Sequence, residues 1–328
     1  MNNVIALANV SGMSRDEWLA MRRNGIGGSD ASVVAGLNKY KSPFTLFLEK
    51  TGQIDADDVF VTDEDGAFVS GSEAAYFGTK DEEAVASEFA LRSKLKVRRD
   101  NRMMAHKDFP FMIANIDRRI VGTNEILECK IASEYLKGEW EGDDLPQQYY
   151  IQGMHYLAVT GAKAIWFAVK IGGNKFVHKR IERDEEAIQA LITIERNFWE
   201  NHIMTGFAPP IDGTDASSDF LSKMFPGVPN SETILDDDTD KIIAELEDAK
   251  VSKKKIDELV KMYENQLKQK LGDIETGLTS NYKVTWKKTI SNRVDTKLLK
   301  EQYPDIYSAV IRESASRRFG FSKLKEVR

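Results

Sequence analysis

The stretch IANIDRRIVGTNEILECKIAS, residues 113–133, sets a lone aspartate on one hydrophobic run and a Glu-Cys-Lys triplet on the next. The runs 113–121 and 124–131 flank Gly122-Thr123, and a Gly-first two-residue loop predicts a type II′ hairpin. Counting back from Val121 opposite Asn124, Asp117 falls opposite Glu128 and Asn115 opposite Lys130, so these four share one face. Leu127, Cys129 and Ile131 point the other way. Directly opposed residues have Cβ atoms roughly 4.5–5.5 Å apart, close enough for two carboxylates to hold one hard cation. Without a cation they repel. Lys130 shares the face of Glu128, where it can position or deprotonate a metal-bound water or stabilise charge developing on a phosphoryl group. An isolated Glu-x-Lys on a strand is more often a surface ion pair. Here the surrounding apolar positions, the opposed Asp117 and an upstream acidic helix favour the metal site.

That helix is expected to begin after Gly78, in YFGTKDEEAVASEFALRSKLKV. Ala84, Val85, Phe89 and Leu91 recur at helical spacing, and Asp81, Glu82 and Glu83 would crowd the first turn, where the helix dipole favours acids.

Taken in order, G-x-x-x-E at 78–82, N-I-D at 115–117, E-C-K at 128–130 and YYIQGMHYLAVTGAKAIWFAV at 149–169 resemble the YqaJ-type viral recombinase nucleases, which belong with phage lambda exonuclease in the PD-(D/E)XK superfamily. WLAMRRNGIGGSDASVVAGLNKYKSPFTLFLEKTG, 18–52, is similar to the opening segment of the same family, and the resemblance spans about residues 12–205. It implies a restriction-endonuclease-like α/β fold with a mixed central sheet. It also implies that Asp117 and Glu128 are metal-binding carboxylates, that the carbonyl of Cys129 is a further ligand, and that Lys130 is the catalytic lysine. Glu82 matches the helix glutamate of the metal shell and Gln152 a glutamine near the scissile phosphate. Arg22 and Ser29 match positions that contact a terminal 5′-phosphate. The proline usual before the first aspartate of the superfamily is Ile116 here.

The residues around Ser29 admit two readings on their own. GIGGSDAS precedes a helical run, so Ser29 or Asp30 can serve as an N-cap. A glycine-rich helix entrance with Arg22 nearby can equally hold a phosphate.

With 328 residues and 41% hydrophobic content, the chain has enough apolar material for one large domain and an appendage. No apolar run reaches membrane-spanning length and MNNVIALANV lacks the features of a signal peptide, so a soluble, cytoplasmic protein is expected. One cysteine excludes an internal disulfide, and His106, His155, His178 and His202 lack zinc-site spacing; His155 reads as a packed helix residue. The net charge of −6 is uneven: residues 281–328 carry 12 Lys/Arg against 5 Asp/Glu, while acids cluster in DADD, DEDG and DDDTD. The total therefore says little about any one face.

Residues 1–52 read as helices, 53–72 as an acidic loop, 73–95 as the glutamate helix and 96–131 as strands. A helix at about 146–160, two strands within 163–183 and a helix at 184–203 follow. The expected domains are a nuclease domain at 1–205, a linker at 206–235, a long amphipathic, coiled-coil-like helix at 236–274 and a basic module at 275–328. Alternation of Tyr282, Val284 and Trp286 predicts a strand whose aromatics are half-buried core. Arg317, Arg318 and Phe319 form a candidate DNA or partner contact, or a solvated basic face.

The resemblance implies a Mg²⁺-dependent 5′→3′ exonuclease, with Mn²⁺ as a substitute, resecting double-stranded DNA ends for phage-type recombination. It further implies a homo-oligomer, with a ring-shaped trimer favoured, a single-strand annealing protein as partner, and a phage or prophage origin in a bacterial host. A structure-specific or restriction-type endonuclease and a non-catalytic DNA-binding scaffold are the alternatives.

Overall fold

The computed structural model describes residues 4–56, 60–63, 65–236, 238–312 and 318–322, and the chain divides into two compact units, Met1–Phe225 and Pro226–Arg328. In chain order the first unit begins with strand β1 (Val4–Asn9) and helices α1 (Arg15–Arg23), α2 (Gly28–Val34) and α3 (Pro43–Lys50). A small hairpin of β2 (Phe60–Thr62) and β3 (Phe68–Gly71) leads into α4 (Glu73–Ser93). Then come β4 (Val97–Arg99), β5 (Arg102–His106), β6 (Ile113–Asn115), β7 (Arg118–Ile120) and β8 (Glu125–Ala132). Helix α5 (Gln147–Thr160), β9 (Ala164–Ile171), β10 (Lys175–Glu182), α6 (Glu185–Phe198) and α7 (Asp215–Met224) complete the unit.

The central sheet has the order β10-β9-β8-β7-β4, with β8 and β9 parallel and the other pairs antiparallel, so it is a mixed sheet. Helix α5 is the crossover between the parallel strands, the connection a parallel pair requires. Its Met154 and Leu157 pack with Ile126, Ile165, Phe167 and Val169 on one sheet face. On the other face Leu127, Ala168 and Ile120 pack with Val85, Ala86 and Phe89 of α4. Both faces are thus covered by helices, which is why β8 and β9 carry long apolar runs. A second sheet, β1-β5-β6, adjoins this layer.

Several expectations change at this level. The N-terminal segment is not wholly helical: Val4–Asn9 is a strand paired with β5, and the acidic loop contains the β2-β3 hairpin. Helix α4 starts at Glu73 with Ser72 as its cap, so Gly78 lies inside it and Asp81, Glu82 and Glu83 are not first-turn acids. The β7-β8 connection is not a two-residue type II′ loop. It closes from Ile120 to Thr123, with Gly122 as its third residue at φ 81°. A φ of that sign suits glycine. The register nevertheless agrees, Arg118 lying opposite Leu127 and Arg119 opposite Ile126. Residues 206–235, read as a linker, include α7, whose Phe220 packs edge-on against Phe44 of α3.

In the second unit α8 (Asp238–Leu271) is followed by the hairpin β11 (Thr276–Leu278) and β12 (Lys283–Thr285), then α9 (Thr296–Gln302) and α10 (Pro304–Val310). The expected strand is present, but its aromatics are not half-buried: Tyr282 is 75% and Trp286 52% exposed. A two-stranded hairpin offers too little partner surface to bury both.

Candidate active site

Strand β8 carries the acid and the lysine. Its alternation puts Glu128 and Lys130 toward α5, while Leu127 and Cys129 join the cluster under α4. Asp117 sits where the chain leaves β6 for β7, between the two sheets, and continuing the β7-β8 register brings it opposite Glu128. Its Oδ2 accepts the Cys129 N–H at 2.7 Å. Asn115 does not face Lys130 as expected. It pairs with Met103 in the second sheet, because the chain changes sheets at Ile116.

Glu128 is the hub. Its Oε1 meets Lys130 Nζ at 2.8 Å and accepts Gln152 Nε2 at 2.8 Å, and Gln152 Nε2 also reaches the Tyr156 hydroxyl at 3.3 Å. Gln152 projects from α5 and is buried. Glu128 Oε2 is buried with no hydrogen-bond partner, and so is Asn115 Oδ1. Burial, then the neighbouring Glu128 and Glu82 charges, holds the Asp117 carboxyl well above the usual carboxylate range. Burial raises Glu128 too, against the pull of Lys130. Burial works to lower Lys130, but the Glu128 carboxylate outweighs it and keeps the amine an ammonium. Burial pushes the Cys129 thiol far up, so its side chain is inert.

Glu82 comes from α4, where Ala74, Ala75 and Gly78 leave the helix face beside it open. Its Oε1 accepts the Arg118 guanidinium, which also donates to the Asp117 carbonyl at 2.8 Å and to Glu83 Oε2 at 2.9 Å. Arg99 adds a contact to Glu83 at 3.4 Å. Arg118 is thus a site residue missed in the sequence, although its position directly after Asp117 in the IDRRI run was a signal.

Arg22, in the last turn of α1, donates to Ser29 Oγ and lies 3.5 Å from Asp30. Ser29 is not the cap of α2. Gly27 holds that position and Asp30 accepts its N–H at 3.0 Å. Asp30 also takes Lys50 Nζ at 2.7 Å. Burial opposes its ionisation, but Lys50 and Arg22 outweigh burial and hold its carboxyl well below the usual range. Gly28 has a packing reason as well, since a Cβ there would stand 2.5 Å from the Tyr156 ring.

Arg22, Ser29, Glu82, Asp117, Glu128, Cys129, Lys130 and Gln152 line one cleft of about 720 Å³. Among the described residues no group of three or more His, Cys, Asp or Glu side chains is arranged to hold a metal. Glu82 is already engaged by Arg118. The unpartnered Glu128 Oε2, the raised Asp117 and the unpartnered Asn115 Oδ1 nevertheless fit a hard cation, and an ion such as Mg²⁺ needs few protein ligands because it keeps several waters. Arg318 and Phe319 belong to the second unit, where Phe319 is 78% exposed, and Arg317 lies outside the described residues. His155 is fully buried, bonded to Glu195 and to the Ile113 carbonyl at 2.8 Å each. Among the described residues no helix is long and apolar enough to cross a membrane.

The YqaJ-like viral recombinase domain model matches residues 17–163. The uncharacterized protein YqaJ of Bacillus subtilis strain 168 is 45% identical over 326 residues, covering 98% of this chain and 97% of its own. Among solved structures, the alkaline exonuclease LHK-Exo from Laribacter hongkongensis aligns over 64% of this chain and 100% of its own at 16% identity and a TM-score of 0.46. A phage-related exonuclease from Haemophilus somnus 129PT aligns over 58% of this chain and 99% of its own, at 11% identity and a TM-score of 0.41. With near-complete coverage of a relative at that identity, and a domain match that spans both Asp117 and the Glu128-Cys129-Lys130 triplet, the chain belongs to the YqaJ-like viral recombinase domain family.

Proposed function

We propose that the cleft is the active centre of a Mg²⁺-dependent deoxyribonuclease, a 5′→3′ exonuclease acting on double-stranded DNA ends. The observation that carries this reading is the buried Glu128: one oxygen is fixed by Lys130 and Gln152, and the other is unpartnered beside a second, ionisation-resistant carboxylate at Asp117. A carboxylate pair so arranged is unfavourable until a cation compensates it. Membership of a viral recombinase family supports DNA as the substrate.

Asp117, Glu128 and the Cys129 carbonyl would hold Mg²⁺, with Mn²⁺ as a substitute, and the ion would supply charge neutralisation and a more acidic nucleophilic water. Gln152 holds Glu128 in place through its amide N–H. Lys130, fixed at the same carboxylate, presents an ammonium to charge developing on the scissile phosphate; this favours charge stabilisation over proton abstraction among its expected roles. Glu82 contributes negative charge at the edge of the site while Arg118 orients it. Arg22 and Ser29 would receive the terminal 5′-phosphate, the guanidinium supplying a charged fork. A ring-shaped homotrimer and a single-strand annealing partner complete the proposal for resection in a phage or prophage setting.

The test is end dependence. Incubation with a linear, 5′-phosphorylated duplex and with the same duplex closed into a circle should give Mg²⁺-dependent mononucleotide release from the linear form alone. Cutting of the closed circle would assign the site to an endonuclease instead.

A further inference from the structure

The β11-β12 hairpin of the second unit is at odds with ordinary burial of large aromatics. Tyr282, Val284 and Trp286 alternate along one strand and so share a face. Only Val284 is half-buried, opposite Gly277, where Leu271 fills the space a side chain would take. Tyr282 and Trp286 stand out on either side, 75% and 52% exposed. They are not on frayed ends. The Trp286 N–H donates to the Glu275 carbonyl at 2.9 Å and the Thr279 N–H to the Tyr282 carbonyl at 2.8 Å, which extends the ladder past both strand ends. Their Cα atoms are therefore about 13 Å apart on a fixed backbone.

The charge around them is net positive. Residues 275–293 contain Lys283, Lys287, Lys288 and Arg293, all exposed, against one acid, Glu275, which lies opposite Trp286 and whose Oε1 accepts the Lys288 N–H at 3.3 Å. Two fixed, exposed aromatic rings on a net-positive surface are what the bases and phosphates of one strand require.

We propose that this hairpin binds single-stranded DNA, with Tyr282 and Trp286 stacking on bases and Lys287 and Lys288 pairing with phosphates. A duplex keeps its base faces stacked inside, so the aromatics select the single strand. An acidic peptide would use the lysines without requiring both rings. The surface shares no residue with the cleft, and its function does not depend on the cleft being a nuclease.

The test is fluorescence anisotropy of an internally labelled circular oligothymidine, which has no end, with the full chain in EDTA. Trp286→Ala and Tyr282→Ala should each weaken binding roughly five- to a hundredfold, and Trp286→Phe should restore most of the loss. Replacing Lys287 and Lys288 by Ala should reduce the slope of log affinity against log salt by about 0.7 for each lysine–phosphate pair removed. Affinity for a closed duplex circle should be unchanged in Trp286→Ala. Unchanged oligothymidine binding by Trp286→Ala, equal losses on single strand and duplex, or failure of Trp286→Phe to recover would each overturn the proposal. Because no cleavage is read, a negative result here leaves the nuclease reading standing, and absence of nuclease activity leaves this one standing.

Discussion

Replacing Asp117 by Asn should raise the stability of the metal-free protein. Asn retains an acceptor for the Cys129 N–H but removes one of two opposed carboxylates. Two unit charges about 6 Å apart repel by about 3 kcal/mol at an effective dielectric constant of about 20. Solvent beside the half-buried Asp117 reduces this to about 1–2 kcal/mol. For a unit the size of Met1–Phe225 that corresponds to a rise in Tm of roughly 2–8 °C. The pH dependence has a definite sign. A carboxyl whose folded pKa is raised contributes stability below its unfolded pKa and loses it as pH rises through the folded value. Wild type and variant should therefore converge near pH 4 and separate as pH rises, the variant being the more stable. Saturating Mg²⁺ should reverse the order, since a ligand at about a hundredfold its Kd adds about 2.7 kcal/mol to whichever protein binds it. Calorimetric melts in EDTA and in Mg²⁺ from pH 4 to 8 read all of this without reference to activity. A variant less stable than wild type in EDTA at every pH, or stabilised equally by Mg²⁺, would refute the reasoning.

Three further outcomes are expected. Gln152→Leu removes the amide N–H that fixes Glu128, and should lower metal affinity and turnover by about 10–100-fold, checked by calorimetric titration with Mn²⁺ and by steady-state kinetics. Asp30→Ala leaves Lys50 buried without its carboxylate and should cost about 3–5 kcal/mol in urea unfolding, far more than a typical surface substitution. Arg22→Ala should lose the preference for 5′-phosphorylated over 5′-hydroxyl ends by roughly ten- to a hundredfold while keeping its Mg²⁺ dependence, since charge-assisted hydrogen bonds contribute about 1.5–3 kcal/mol. Retention of the wild-type preference would make Arg22 a partner of Ser29 and Asp30 with no role in end recognition.

The paired faces of β8 were legible because strand alternation is strict: Glu128 and Lys130 had to share a side once Ile126 was inward. The opposition of Asp117 to Glu128 was legible for a weaker reason. The turn type was wrong, but the Arg118-Leu127 register is the same for either closure of the loop. Asn115 was misplaced because a change of sheet at Ile116 leaves no mark in periodicity. The 73–95 span read for the glutamate helix agrees with α4, but Gly78 also reads as a boundary, which put Asp81, Glu82 and Glu83 in a first turn; here its missing side chain opens the helix face beside Glu82. Long-range partners were not legible. Arg118 reaching back to Glu82, 36 residues away, and Lys50 reaching Asp30 depend on tertiary packing alone. Burial in the second unit was overestimated at Tyr282 and Trp286 because alternation predicts a strand, not a partner to cover it.

The central claim is that Asp117, Glu128 and Lys130 form one metal-dependent hydrolytic centre. Nucleotide release from a linear 5′-phosphorylated duplex, measured for wild type and Lys130→Ala in Mg²⁺ and in EDTA, tests it most directly. The account predicts release by wild type in Mg²⁺ only, and none by Lys130→Ala, which should still bind Mn²⁺. Release by wild type in EDTA, or undiminished release by Lys130→Ala in Mg²⁺, would contradict it.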